Sequence, residues 1–230
     1  AVAAPRFVVH EEERQPMRDY RAVRQLLRGA RDFPDGARRL ALRAFQRLAR
    51  AEAAVHGVPE DDVHFHEVGA VDSIVDVAAF AAAVDYLAPA RVLASPLPMG
   101  RGAVRGAAHG PLPNPAPATL GVLCEGGIPT FDAGCNVELV TPTGACLVAA
   151  VASGCSAWPD MIPARVGYGA GSRDLADRAN LCRVVLGDLW GGGGEGGQER
   201  ALGGPHEHSH EHGHVHDHEN SHASAHEHGH

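Results

Sequence analysis

Leu40-Ala41-Leu42-Arg43-Ala44-Phe45-Gln46-Arg47-Leu48-Ala49-Arg50-Ala51 sets Leu40, Ala44, Leu48 and Ala51 at three- and four-residue steps, which is how one buried face of a helix is written. The pattern predicts a helix from Asp35 to Val55, closed by Gly57 and kept from resuming by Pro59. Directly after it, Val63-His64-Phe65-His66-Glu67-Val68 changes to a two-residue alternation and predicts a short strand. A helical pattern then returns near Asp72 or Ser73 and runs to Leu87, while upstream Arg18 to Gly29 forms a helix with Tyr20, Val23, Leu26 and Leu27 on one stripe. Farther on, Val92 to Ala94 reads as a strand, and the proline- and glycine-rich residues up to Pro117 read as a long structured loop or a set of turns. Thr119 to Leu123 reads as a short helix, Asn136 to Val140 as a strand, Gly144 to Ala152 as a buried helix and Leu181 to Leu186 as a closing strand. This alternation predicts a single mixed α/β domain over residues 1–190.

Beyond residue 190 the texture changes. The glycine-rich stretch 191–205 reads as a flexible linker, and residues 206–230 have too few apolar side chains to build a core, so a disordered tail is expected. The 230 residues are 44% apolar and 21% charged, which suits one domain plus such a tail. All 20 basic residues are arginine, and much of the net charge of −8 belongs to the tail, so the near-neutral body lacks a nucleic-acid footprint. Five cysteines without a C-x-x-C spacing read as packed free thiols and point to a reducing, cytoplasmic setting. The longest apolar run, Ile74 to Ala90, is broken by Asp76 and Asp85, and no basic region followed by an apolar core opens the chain. Neither a membrane span nor a signal peptide is expected. The absence of an initiator methionine leads us to expect an upstream piece.

The tail carries 11 of the 16 histidines: His206, His208, His210, His212, His214, His216, His218, His222, His226, His228 and His230. Neutral imidazole ligates nickel, zinc and copper, and alternating imidazoles with interleaved acids can wrap an ion through three or four nitrogens and a carboxylate. An expression tag or a merely solvating tail are the plainer readings, although the mixed Glu, Ser and Gly differ from a uniform histidine run.

A second constellation runs from His64 through His66, Glu67 and Asp72 to Asp76. On an extended segment His64 and His66 share a face, and a turn at Gly69-Ala70 can bring Asp72 back toward them, giving a metal site or an acid/base pair. Equally, Ser73-x-x-Asp76 has the spacing of a helix-capping box, with Asp72 merely favouring the helix N-terminus. Two glycine-bearing turns could hold an anion: Thr141-Pro142-Thr143-Gly144 at a helix start, and Gly167-Tyr168-Gly169-Ala170-Gly171 followed by Arg173. Ordinary turns and caps explain both as well. His109 sits in the proline-rich stretch, where loops carry function.

Taken in order, the blocks Val63 to Asp76, Ala94-Ser95-Pro96-Leu97-Pro98, Ala108-His109-Gly110, Pro115 to Thr119, Glu138 to Ala145 and Gly167 to Gly171 resemble the LarC family over roughly residues 18–187. That family inserts nickel into a pyridinium-3,5-bisthiocarboxylic acid mononucleotide in a CTP-dependent reaction, as a nickel chelatase of the lyase class, to make a nickel-pincer cofactor. The resemblance implies site residues His64, His66, Glu67, Asp72 and Asp76, with His109 and Thr143 as outer members, while Thr141, Thr143, Gly144, Gly169, Gly171 and Arg173 of the two turns are the candidate cofactor-binding residues. It also implies CTP with Mg2+ or Mn2+, held by a domain or separate LarC-type chain that this sequence does not show. Family members usually begin upstream with a strand and an Asp-Cys-Phe-Ser-Gly-type loop, and their histidine-rich segment is often internal. A different function fits the same residues: a nickel or zinc storage and delivery metallochaperone without turnover.

Overall fold

In the computed structural model, which describes residues 3–10, 18–65, 70–106 and 110–190, the pattern around Leu40 folds as a 22-residue helix. The described residues all fall in the first of two units of the chain, Ala1–Gly192, and the second, Gly193–His230, with the tail histidines, lies outside them. The structure bears out a mixed α/β domain. Its helices are α1 (Tyr20–Gly29), α2 (Asp35–His56), α3 (Val71–Leu87), α4 (Pro117–Gly126) and α5 (Pro142–Val151). Between them lie β1 (Leu93–Ala94), β2 (Leu97–Met99), β3 (Ala103–Gly106), β4 (Gly110–Pro113), β5 (Thr130–Asp132), β6 (Gly154–Cys155), β7 (Met161–Ala170) and β8 (Leu181–Leu189).

Packing is centred on α2, which contacts α1, α3, α4 and α5. Its buried face is mostly alanine, with Leu40, Phe45 and Leu48 as the large members, so neighbouring helices approach closely. At Gly121 of α4 an added Cβ would stand 3.1 Å from the Ala51 Cβ, so α4 can lie this close to α2. Helix α2 ends at Gly57 in the left-handed region (φ 67°), a conformation glycine adopts without the Cβ clash that other residues suffer. Phe45, Leu48, Val23, Val63 and Phe65 are almost fully buried in the common core, and burying each such side chain is worth roughly 1.5–3 kcal/mol before entropy is counted.

The strands form four two-stranded pairings. β1 with β6 and β2 with β5 are parallel, while β3 with β4 and β7 with β8 are antiparallel ribbons. Several expectations need correction. Helix α1 starts at Tyr20 rather than Arg18, because Asp19 caps it, and Leu26 of the expected stripe is 48% exposed while Tyr20, Val23 and Leu27 are buried. Of the expected 63–68 strand, the described part, Val63–Phe65, makes a single bridge between His64 and Asp19, and residues 66–68 lie outside the described residues. Asn136–Val140 forms no strand; the extended segment there is β5, which finds a partner in β2. The supposed loop up to Pro117 contains β2, β3 and β4, and α4 is ten residues long. Gly167–Ala170 belongs to β7, and its partner β8 runs on to Leu189.

Candidate functional site

The exposed side chain of His64 is positioned by its buried neighbours. Val63 and Phe65 are 1% and 2% exposed, and in an extended segment the residue between them must face the other way. Phe65 sits edge-on to Tyr20 (centroids 6.1 Å, interplanar angle 74°) and 6.0 Å from the Phe45 ring, which ties the segment to α1 and α2 together. The backbone is fixed as well: the Tyr20 N–H donates to the Val63 carbonyl at 3.0 Å, and Asp19 bridges His64. Asp19 also accepts from the Ala22 N–H at 2.7 Å and so caps α1. Asp19 is the residue that sequence reasoning missed. Its signal was present, an Asp directly before an apolar-periodic run.

Six residues on, α3 begins at Val71 with Ala70 as its cap residue. The expected capping box is therefore corrected: Ser73 is the third helical residue, and its N–H donates to Asp72 Oδ1 at 2.7 Å. Asp72 and Asp76, one helical turn apart, share a face that points away from the buried Ile74, Val77 and Ala81. Partial burial, and secondarily the charge of Asp72, push the Asp76 carboxyl above its ordinary value. A carboxylate that holds its proton more tightly beside a second carboxylate is suited to accepting a proton or to binding a cation.

The structure brings Asp72 and Asp76 together on one helix face and places His64 on the surface at the start of α1. His66, Glu67 and His109, like every tail histidine, lie outside the described residues. Among the described residues, no group of three or more His, Cys, Asp or Glu side chains is placed to hold a metal ion. Burial pushes the Cys146 thiol up to about 12, so it stays protonated at neutral pH and is no thiolate ligand.

At the two glycine-bearing turns the Gly144 and Gly171 backbone donors already have partners. Thr141 caps α5, its hydroxyl accepting from the Gly144 N–H at 3.1 Å, and Thr143 offers its carbonyl to the Cys146 thiol at 3.1 Å. Gly169 is paired with Cys182 in the ribbon. The Gly171 N–H donates to the Asn180 carbonyl at 3.0 Å, and the Asn180 amide donates to the Arg173 carbonyl at 3.1 Å. The Arg173 side chain is exposed.

Comparison with known proteins supplies the family context. The profile of a family described as nickel insertion protein matches residues 1–225. A Geobacter metallireducens protein is 48% identical over 191 residues, covering 83% of this chain and 48% of its own length. A Syntrophotalea carbinolica protein is 47% identical over 194 residues (83% and 48%), and one from Geobacter sp. strain M21 is 51% identical over 177 (77% and 45%). All three are named provisionally for nickel insertion. The chain spans about half the length of the curated relatives it matches. No solved structure matches it.

Proposed function

The chain belongs to the nickel insertion protein family, and from that premise we propose that it delivers nickel into a pyridinium-3,5-bisthiocarboxylic acid mononucleotide to form a nickel-pincer cofactor. Nickel is the cargo of this reaction. The histidine tail, residues 206–230 behind the 191–205 linker, collects the ion, and the His64, His66, Glu67 segment of the 1–190 domain receives it. The two sulfur donors of the organic ligand then favour capture. Formation of a metal–carbon bond releases a proton from the ring, and a carboxylate of the Asp72–Asp76 pair accepts it.

The observation that best supports this reading is the Asp72–Asp76 pair, in which Asp76 has a raised proton affinity, standing on α3 a few residues after His64, His66 and Glu67 in the chain. CTP with Mg2+ or Mn2+ supplies the driving chemistry in this proposal and is held by the remainder of a full-length relative or by a separate chain. The reaction is cytoplasmic, where thiols stay reduced. Incubating the purified chain with nickel, CTP and the organic ligand tests the proposal. Cofactor formation, by the chain alone or after addition of a CTP-binding polypeptide, supports it. Nickel or zinc uptake and release with no cofactor under either condition would establish the storage and delivery reading instead.

A further inference from the structure

A cleft of about 590 Å3 opens between the end of α3, the segment around β1, the turn at Ser156–Met161 and β8. Its size falls within the roughly 300–1,000 Å3 of small-molecule sites. Leu87, Leu93, Met161 and Val185 make an apolar wall, and Arg91 and Arg183 also line it. Arg183 lies over the Trp158 ring, 5.2 Å from guanidinium carbon to centroid. A guanidinium held over an aromatic face is restrained by it, and its N–H groups can still donate to an anion. Among the described residues, neither Arg91 nor Arg183 has an ion-pair partner, and Asp188 is the cleft's one acidic side chain, so the lining carries a surplus of positive charge. A further polar group stands idle there. The Ser156 backbone N–H donates to the Ala94 carbonyl at 3.0 Å, but its hydroxyl oxygen is buried without a hydrogen-bond partner.

We propose that this cleft is a binding site for a small organic anion, a carboxylate or phosphate monoester on an apolar ring body. Arg183, held by Trp158, and Arg91 grip the anionic end, Ser156 contributes its hydroxyl, and the Leu87, Leu93 and Met161 wall covers the body. The site is separate from the nickel reading and does not rest on it, because Asp72 and Leu87 lie near opposite ends of α3, about 22 Å apart at the helical rise.

Ligand-observed NMR on the full chain tests this, with phenyl phosphate and benzoate as probes and inorganic phosphate and phenol as controls. A chelator removes metal, and about pH 8 keeps the tail imidazoles neutral and so weakly attractive to anions. Phenyl phosphate or benzoate should bind more tightly than either control, weaken at least about fivefold in Arg183→Met and in Arg91→Met, and weaken again in high salt, which screens charge. Arg91 lies on an irregular exposed segment, so Arg91→Met carries the test should Arg183→Met fail to fold. Equal binding by wild type and Arg91→Met, inorganic phosphate binding as well as phenyl phosphate, or no binding of either probe would overturn the proposal.

Discussion

His64 and Phe65 are adjacent in the chain yet belong to different tasks, and truncation separates them. Phe65→Ala removes a ring wedged between Tyr20 and Phe45 and should cost about 3–5 kcal/mol of stability, whereas exposed His64→Ala should stay within about 0.5 kcal/mol. Thermal melts of the two variants check this. A comparable loss in both would mean that His64 is a packing residue. Asp76 has a pH signature of its own. Its folded carboxyl titrates above the ordinary value, so the stability it contributes is present at pH below that ordinary value and is lost as pH rises through the folded one. Asp76→Asn should therefore raise the melting temperature at neutral pH relative to wild type and give no such gain in acid. The opposite ordering would show that burial and Asp72 do not govern this carboxyl. The parity of His64 was legible in the sequence because a two-residue alternation needs only local backbone geometry. The proton affinity of Asp76 was not, since it depends on burial.

Among the elements, the helices were the legible ones. The apolar period around Leu40 is long and uninterrupted, so α2 was recognisable to within a residue of its ends, and α3 likewise. The short parallel pairs were not: β2 and β5 have three residues each and lie some thirty residues apart, so neither contains a period to read. Asn136–Val140 has strand-like composition but forms no ladder, and the glycines of β7 hid a strand because its two-stranded ribbon demands little side-chain packing. Asp19 matters at this scale because one residue caps α1 and bridges the His64 segment. Asp19→Ala should cost about 1 kcal/mol of stability and increase hydrogen exchange at Ala22. If the Ala22 amide keeps its protection, the cap is not what holds this corner.

For the whole molecule, the account divides metal capacity from metal transfer. Deleting residues 191–230 should remove most high-capacity nickel binding and leave the melting transition of residues 1–190 almost unchanged, because a polar, glycine-rich sequence offers few apolar side chains for a core. Binding by the intact chain should weaken below about pH 6, where imidazole becomes protonated. A large loss of stability on deletion, or a capacity flat across that range, would count against the division. The central claim concerns transfer and rests on the His64–Asp76 segment. Its most direct test is the rate of nickel-pincer formation by the full chain carrying Asp72→Asn together with Asp76→Asn, measured with CTP and whatever CTP-binding polypeptide the wild type requires. The account predicts wild-type nickel stoichiometry, a folded protein and cofactor formation reduced at least about a hundredfold, the scale on which a positioned acid–base group contributes. A folded double variant that forms the cofactor at the wild-type rate would contradict it.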